Sequence, residues 1–295
     1  MDIVVVGAGS LGSLVGGLLA RAHDVTLVGR DPHVSTVRES GLRISGAVET
    51  TVVPDATTTP PAAADLAVVT VKAGDTAEAA ATLTDTSLDA ALSLQNGMGN
   101  EATLADRLSC PVLAGTCTYG ARLVDPGHVE CTGVGDVVLG ARAGGPSPVA
   151  DRVGEVFSAA DVQTTVATDM PRRLWEKLAV NAGINPTTAL ARVENGALVD
   201  GPAGETARAA AREVARVAQD AGIDLSESAA ARAVTSVAET TTANTSSMHQ
   251  DVLAGNPTEI DAINGYVVDR ADRPVPVNET LTNLVRTWES RRDIR

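Results

Sequence analysis

The sequence predicts a doubly wound α/β domain followed by an all-α domain. Up to residue 168, short apolar runs alternate with helical stretches, which is typical of a mostly parallel sheet. A glycine-rich turn lies between the first run and the first helix, and after residue 171 helix formers dominate without a strand pattern. The 295 residues are enough for two hydrophobic cores. We therefore predict one domain at residues 1–168 and a second at 169–295.

The first βαβ unit can be placed from its pattern. The apolar run Asp2–Val6 predicts a buried strand, and the turn Gly7-Ala-Gly-Ser-Leu-Gly12 follows it. Apolar residues then recur at helical spacing up to about residue 23. A second strand at 25–28 completes a unit of about the ~30 residues expected for a βαβ motif.

The remaining elements follow from periodicity and from turn residues. Further strands are predicted at 42–45, 51–53, 66–71, 91–94, 112–118, 128–131, 137–141 and 162–167. Helices of the first domain are predicted at 76–83, 101–108 and 148–159. Helices of the second domain are predicted at 171–184, 203–221, 226–243, 257–271 and 277–291. The first of these should end at Asn185, because Pro186 disfavours helical geometry in the preceding residue.

Composition and charge exclude several classes of function. A formal net charge of −14 argues against nucleic acid or an anionic membrane as a partner. No apolar run approaches the ~20 residues that a membrane-spanning helix needs. The first strand begins at Asp2, so we expect no signal peptide and a cytoplasmic protein. The excess of acidic residues resembles proteins of salt-loving organisms, although a GC-rich genome would also favour arginine over lysine.

The three cysteines, Cys110, Cys117 and Cys131, have neither an even count nor the spacing of metal ligands. We expect buried thiols in a reducing compartment, and no metal site. A binding site for an anion must bring its own positive groups, since the overall charge repels such ligands.

The glycine-rich turn predicts a dinucleotide site formed by Gly7, Ala8, Gly9, Ser10, Leu11 and Gly12. In Gly-x-Gly-x-x-Gly the first glycine permits a tight turn, the second lets the backbone approach a pyrophosphate, and the third allows close helix–strand packing. The amides and the dipole at the helix start then bind phosphate. The alternative is a purely structural glycine turn.

The end of the second strand indicates which dinucleotide is bound. NAD sites usually place an acidic residue there to hold the ribose hydroxyls. This sequence has Gly29 at that position and Arg30 next, a pattern that suits the 2′-phosphate of NADP. Asp31 leaves NAD(H) open, because it could neutralise Arg30 or bind a ribose itself.

Two polar residues follow strands at the edge where open α/β sheets bind ligands. Lys72 could reach the ribose phosphate of the cofactor or line its pocket; an ordinary loop lysine is the alternative. Asn96, in Gln95-Asn-Gly97, could hydrogen-bond the nicotinamide ribose or the substrate. Asn-Gly is also a common turn dipeptide.

The chain contains only two lysines and 21 arginines, so each lysine is a candidate for a role that arginine cannot fill. Lysine can donate and accept a proton near neutral pH when its environment is tuned, whereas arginine cannot. Lys177 lies four residues before Asn181, and Asn185 follows four later, so all three share one face of a helix. This face offers a proton donor with polar orienting groups. A solvated surface is the alternative.

Other polar candidates occur later in the chain. Asn195-Gly196 is either a further polar contact or a turn. Glu259 is either a carboxylate near Lys177 that binds a substrate hydroxyl, or the third helical residue of a capping box that begins at Asn256.

These motifs, in this order and spacing, resemble those of the ketopantoate reductases (2-dehydropantoate 2-reductases) over nearly the whole chain. The motifs that carry the resemblance are Gly7–Gly12, Val71-Lys-Ala, Gln95-Asn-Gly97, Trp175-Glu-Lys-Leu-Ala-Val-Asn-x-x-Ile-Asn-Pro186, Asn195-Gly196, Ser246-Ser-Met248 and Thr258-Glu-Ile-Asp-x-Ile-Asn-Gly265. The resemblance implies a Rossmann domain joined to a helical domain like that of 6-phosphogluconate dehydrogenase. It also implies reduction of 2-dehydropantoate to (R)-pantoate with NADPH, on the route to pantothenate and coenzyme A.

The resemblance also implies roles for single residues. Lys177 matches the catalytic lysine of the family and Glu259 its substrate-binding acid. Asn181, Asn185 and Ser247 match positions that bind the substrate, and Asn96 an asparagine near substrate and nicotinamide. Arg30 and Lys72 match positions that hold the cofactor phosphate. Some archaeal members are similar around residues 29–31 yet use NADH, so both cofactors remain open.

Three functions are therefore weighed. The first is hydride transfer to C2 of a 2-oxo acid, with Lys177 as the general acid. The second is a dehydrogenase of the same architecture for another 2-oxo or 3-hydroxy acid. The third is a non-catalytic NADP-binding regulator, which the joint presence of the lysine, the asparagines and the glutamate argues against. A homodimer is an expectation by analogy.

Overall fold

The computed structural model describes residues 1–292 and 294. Its contacts divide the chain into two compact units. The first unit contains Met1–Gln95 and Gly99–Met170, and the second contains Asn96–Met98 and the chain from Pro171 onward. Asp293 and Arg295, which belong to the predicted second domain, lie outside the described residues.

The first unit contains all twelve strands of the described chain. Their bounds are β1 Asp2–Val6, β2 Asp24–Val28, β3 Leu42–Gly46, β4 Thr50–Val52, β5 Asp55–Thr57, β6 Ala63–Val69, β7 Ser87–Ser93, β8 Val112–Cys117, β9 Gly120–Asp125, β10 His128–Gly133, β11 Val137–Ala141 and β12 Thr164–Val166. Its helices are α1 Ser10–Leu19, α2 His33–Ser40, α3 Thr76–Leu83, α4 Asn100–Ala105 and α5 Pro148–Ala159.

Eight strands form one sheet in the order β12-β11-β8-β7-β6-β1-β2-β5. All neighbours are parallel except β8 and β11, so the predicted mostly parallel, doubly wound sheet is confirmed. Strand β1 alternates between the two sides of the sheet: Ile3 and Val5 pack into one apolar cluster, whereas Val4 and Val6 pack into another. Both faces are buried, which explains why the strand is a continuous apolar run.

Four strands form a second sheet, β4-β3-β10-β9, which the sequence pattern did not separate from the first. Helix α1 packs against both sheets. A side chain at Gly16 would meet Leu27 of the main sheet, and one at Gly17 would meet Ile44 and Leu42 of the second sheet. A helix buried on two sides has to be apolar all round, and α1 is buried from Gly12 to Leu19.

The sequence pattern did not predict α2, β5 and β9. Strand β5 has three residues, and β9 is exposed along four of its six residues. Neither therefore shows a hydrophobic period, and each is defined by its hydrogen bonds to neighbouring strands.

The second unit is helical. Its helices are α6 Met170–Ala191, α7 Gly201–Asp220, α8 Glu227–Thr240, α9 Ser247–Ala254, α10 Tyr266–Arg270 and α11 Pro276–Ser290. A π-helical turn at Asp261–Gly265 leads into α10. Helix α9 was not predicted. No helix begins at Asn256 or Pro257, so the capping box proposed for Glu259 is not formed.

The predicted end of the first C-terminal helix at Asn185 is wrong, because α6 continues through Pro186 to Ala191. Proline lacks the N–H that would bond the carbonyl four residues earlier. That carbonyl belongs to Ala182, and it accepts a hydrogen bond of 3.0 Å from the side-chain amide of Asn264. The interruption is therefore satisfied by a residue 82 positions away in the sequence.

Within the described residues, no helix has both the length and the apolar character needed to cross a membrane. The three cysteines form no disulfide within the described residues. Cys131 is buried, and burial raises the pKa of its thiol above the ordinary value, which keeps it protonated and unreactive at neutral pH.

Candidate active site

The glycine-rich turn follows β1, the strand at which the chain order of the sheet reverses. Its neighbours are β2 on one side and β6 on the other, both parallel. Ligands of open α/β sheets bind at this switch point, beyond the carboxyl ends of the strands. Gly7 adopts φ +106° and donates its N–H to Val28 at 2.9 Å.

Packing inside the protein requires two of the three glycines. An ideal Cβ at Gly7 would lie 2.6 Å from the backbone nitrogen of Val71. One at Gly12 would overlap the carbonyl oxygen of Gly7.

Gly9 is different. It is exposed, and an ideal Cβ there would have no described atom nearer than 4.0 Å. Packing therefore does not demand a glycine at this position, whereas close approach of a bound group would. Helix α1 begins at Ser10 with no acidic residue in its first turn and, among the described residues, no side-chain cap. The turn therefore fits the pyrophosphate of a dinucleotide.

The other residues of the turn hold it in place. Ala8 is buried and donates its N–H to Val28 at 3.0 Å. The hydroxyl of Ser10 accepts a hydrogen bond from the N–H of Leu123 at 3.0 Å, which ties the start of α1 to β9. Leu11 packs against the core of the first unit.

The end of β2 excludes the usual acidic residue of an NAD site. An ideal Cβ at Gly29 would lie 2.8 Å from the Cβ of Ala8. Asp31 uses a carboxylate oxygen to accept the N–H of Ser35 in the first turn of α2, at 3.1 Å. Arg30 is exposed and has no carboxylate partner in the described chain. This arrangement favours the phosphate over a free ribose, and the role of Arg30 stays a prediction.

Lys72 lies three residues beyond β6 and is half-buried at the start of a short 3₁₀ turn, Ala73–Asp75. The neighbouring backbone is held by Gln95, whose amide nitrogen donates to the carbonyl of Val71 at 3.1 Å and to the hydroxyl of Thr76 at 2.7 Å. Lys72 therefore follows the carboxyl end of a strand adjacent to β1, as expected for a residue at this edge.

The polar face of the second unit lies on α6. Lys177 and Asn181 are half-buried and Asn185 is buried, while Leu178, Ala179 and Ala182 belong to the apolar core. The side-chain amides of Asn181 and Asn185 make no hydrogen bond within the described part of the chain. Both are therefore available to a bound molecule.

Asn96 and Glu259 are brought together. The amide nitrogen of Asn96 donates to a carboxylate oxygen of Glu259 at 3.3 Å. The turn 96–98 is fixed on the π-helical turn, since the N–H of Met98 donates to the carbonyl of Ala262 at 3.1 Å. Gly97, at φ +80°, has no room for a side chain against Ala262. The Asn-Gly pair is therefore both a turn and the carrier of a side chain that meets Glu259.

Ser247 and Asn195 differ in exposure. Ser247 is exposed at the first position of α9. Its neighbour Ser246 caps that helix through the N–H of His249 and is joined to Thr188 of α6 at 2.7 Å. Asn195 is buried, and its amide nitrogen donates to the hydroxyl of Thr241 at 2.9 Å. Asn195 thus orders the segment before α9, and its contact with substrate stays a prediction.

Histidine is the commonest general acid in enzymes, but three of the four histidines in this chain hydrogen-bond groups of the first unit. His23 bonds the carbonyl of Val156, His128 bonds Ser45, and His33 bonds Ser13. His249 is buried on α9. No group of three or more His, Cys, Asp or Glu that could hold a metal ion occurs in residues 1–292 or at 294.

Sequence reasoning assigned no role to Asn264 or Thr188, although both are buried polar residues that contact α6 or its neighbours. The signal was the proline inside a helical pattern, which leaves a carbonyl in need of a donor.

A parallel sheet with this glycine turn after β1, joined to a helical unit that carries a lysine and two amides on one face, is the architecture of a dinucleotide-dependent oxidoreductase. Family models confirm the resemblance: residues 3–144 match ketopantoate reductase PanE/ApbA, and residues 169–289 match its C-terminal part. The chain belongs to the ketopantoate reductase family.

Similar proteins cover nearly the whole chain. A protein of Halobacterium salinarum named 2-dehydropantoate 2-reductase is 46% identical, over 97% of this chain and 98% of that protein. A protein of Archaeoglobus fulgidus with the same name is 41% identical, over 98% of both. The crystal structure of a PanE/ApbA family ketopantoate reductase from Ralstonia eutropha matches with a TM-score of 0.90 at 32% identity, over 99% of this chain and 100% of that one. A D-mandelate dehydrogenase in complex with NADH matches with a TM-score of 0.88 at 25% identity, over 99% of both chains.

Proposed function

We propose that the protein reduces 2-dehydropantoate to (R)-pantoate with a nicotinamide cofactor, NADPH in preference to NADH, on the route to pantothenate and coenzyme A. The relatives from Halobacterium and Archaeoglobus, similar over nearly the full length, carry the name of this activity. The observation on which the proposal rests is α6, a continuous helix that carries Lys177, Asn181 and Asn185 at four-residue spacing. We assign cofactor binding to the predicted domain at residues 1–168, and substrate binding and catalysis to the predicted domain at residues 169–295.

The cofactor, when bound, supplies the hydride that reduces C2 of the oxo acid. The protein then has to stabilise the negative charge that develops on the ketone oxygen. We assign this role to Lys177, because its ammonium can donate a hydrogen bond to the oxygen and transfer a proton to the developing alkoxide. The proton that Lys177 transfers ends on the product hydroxyl, and the neutral amine takes up another proton from the solvent.

The remaining polar groups orient the substrate. Asn181, Asn185 and the exposed hydroxyl of Ser247 can bind the carboxylate and hydroxyl of the oxo acid. Glu259 accepts from a substrate hydroxyl, and Asn96 holds that carboxylate through its 3.3 Å hydrogen bond. Arg30 and Lys72 supply the positive charge that a phosphorylated cofactor needs on a protein of net charge −14. Cysteines without a disulfide among the described residues fit a reducing compartment, and we place the protein in the cytoplasm.

A substrate panel tests the proposal. Oxidation of NADPH and of NADH is followed with 2-dehydropantoate, pyruvate and phenylglyoxylate, the oxo acid that corresponds to mandelate, in low and high salt. We expect the highest kcat/KM with 2-dehydropantoate and NADPH, and (R)-pantoate as the product. A higher kcat/KM for another oxo acid would identify that acid, and not 2-dehydropantoate, as the substrate. No oxidation with any oxo acid would favour the non-catalytic regulator.

A further inference from the structure

Helix α6 is interrupted near its carboxyl end, at Pro186. Pro186 contributes no N–H, and the carbonyl that would have accepted it belongs to Ala182. Ala182 is fully buried, so water cannot take the place of the missing donor. An unsatisfied buried carbonyl destabilises the conformation that contains it. Whatever replaces this donor therefore helps to decide the geometry of α6.

The replacement is the amide of Asn264, which is itself fully buried. Its nitrogen donates to Ala182 at 3.0 Å and to the side-chain oxygen of Asn278 at 3.0 Å. The orientation of the amide is fixed by its neighbours: the nitrogen of Asn278 already donates to Ala210 and to Glu213, so Asn278 presents its oxygen to Asn264. The amide nitrogen of Asn264 thus has both hydrogens in use.

The oxygen of the same amide is left without a partner. It is buried and accepts no hydrogen bond from any described residue. The fold therefore tolerates one unsatisfied acceptor in order to keep the nitrogen on the carbonyl of Ala182.

The far end of the network is anchored. Glu213 is buried on α7 and accepts from the backbone N–H groups of Val277 and Asn278, at 3.1 and 2.9 Å, in the first turn of α11. Asn278 and Asn264 then connect this carboxylate to α6. The chain of hydrogen bonds joins three helices and the π-helical turn.

The position of Asn264 connects this network to the proposed catalytic groups. It lies in the π-helical turn Asp261–Gly265, five residues after Glu259. Ala182 lies five residues after Lys177 and next to Asn181. The hydrogen bond from Asn264 to Ala182 therefore joins the segment that carries Glu259 to the helix that carries Lys177.

We propose that Asn264 is a positioning residue: by replacing the missing N–H of Pro186, it holds the polar face of α6 in register with the segment of Glu259. This inference rests on the proposed function, because it matters for catalysis only if Lys177 and Glu259 act on one substrate.

A double-mutant cycle tests it. The variants are Asn264→Ala, Pro186→Ala and the double variant. Pro186→Ala supplies a backbone N–H that can donate to the carbonyl of Ala182, so the hydrogen bond from Asn264 becomes redundant. Loss of the contact with Asn278 occurs in both backgrounds and cancels in the cycle. We expect Asn264→Ala to lower kcat by about tenfold in the native background and by less than about twofold beside Pro186→Ala.

The pattern of kinetic constants separates positioning from bulk stability. Positioning changes kcat and the KM for the oxo acid, measured on folded protein well below Tm, and leaves the KM for NADPH unchanged. Asn264→Gln, which retains an amide, should recover part of kcat. If Asn264→Ala fails to fold, Pro186→Ala must restore a folded protein.

Several results would overturn the proposal. Equal losses from Asn264→Ala in both backgrounds would remove the hydrogen bond to Ala182 as the cause. A lower Tm with unchanged kcat in Asn264→Ala would show that Asn264 has only a structural role. A double variant that remains unfolded would contradict the proposal that Pro186→Ala makes the hydrogen bond redundant. If the wild-type protein reduces no oxo acid, the proposed function fails with the positioning role. In that case the Tm values of the same four proteins, compared in the same double-mutant cycle, still test the hydrogen bond from Asn264 to Ala182.

Discussion

The amide nitrogen of Asn96 lies 3.3 Å from a carboxylate oxygen of Glu259, although 163 residues separate the two in the sequence. One follows a strand of the parallel sheet, and the other precedes a π-helical turn. This contact supplies the most specific test of the substrate site.

We predict that Asn96→Asp makes activity strongly dependent on pH. The variant places a second carboxylate opposite Glu259, and like charges raise the pKa of one of them. Activity should be lowest at high pH and recover as the pair takes up a shared proton at lower pH. Profiles of kcat/KM against pH measure this. Asn96→Ala is the control and should lose activity without such recovery; identical profiles for the two variants would exclude the direct contact.

Lys177→Ala should lower kcat by ~10²–10⁴-fold, the usual contribution of general acid catalysis. Steady-state kinetics and a separate measurement of the Kd for NADPH check this, and the Kd should not change. Lys177→Arg keeps the positive charge but cannot give up a proton, so its kcat should also be low. The other lysine of the chain is the matched control: Lys72→Ala should raise the KM for NADPH and spare kcat. A near-native kcat in Lys177→Ala would remove this residue from the mechanism.

Arg30→Ala should raise the KM for NADPH far more than that for NADH, because the exposed guanidinium has no other charge to neutralise in the described chain. The control is Arg38→Ala, in the last turn of α2. Both KM values are measured at constant ionic strength. An equal rise for both cofactors would discard the assignment to the 2′-phosphate.

Stability should fall as pH drops below about 6.5, the ordinary value for histidine, partly through His33. This ring accepts the N–H of Gly127 at 3.0 Å and bonds Ser13 at 2.9 Å, so it must be neutral. Burial lowers its pKa. The unfolded state therefore binds a proton first, and the contribution of His33 is complete above 6.5 and lost toward lower pH, by at most ~1.4 kcal/mol per pH unit for one proton. Urea unfolding from pH 5 to 8 measures this; His33→Gln should show a shallower dependence, and an unchanged slope would contradict the assignment.

Salt should stabilise the protein. At a net charge of −14, repulsion within the folded chain is screened over ~3 Å in 1 M salt, against ~10 Å at 0.1 M. Tm should therefore rise with KCl, and more than with sorbitol, which is uncharged. An equal response to both solutes would attribute the effect to general exclusion from the surface.

The sequence alone determined the elements whose hydrogen bonds and packing are local. The strand Asp2–Val6 and helix α3 were predicted with their bounds, because apolar period is a local signal. The glycine motif Gly7–Gly12 was placed correctly after β1, although its last three residues already belong to α1. The four-residue spacing from Lys177 to Asn181 and Asn185 likewise follows from helix geometry alone.

Tertiary structure decided whatever depends on a distant partner. Local rules end α6 before Pro186, but the donor that lets it continue comes from Asn264. Strands β3, β4 and β10 were predicted, yet only their hydrogen bonds to one another, and those of β10 to β9, separate them into a second sheet. Asn96 and Glu259 were both candidates, and only the folded chain brings the amide to the carboxylate. A hydrogen bond between residues far apart in sequence leaves no period in either segment, so its existence is settled only when the chain has folded.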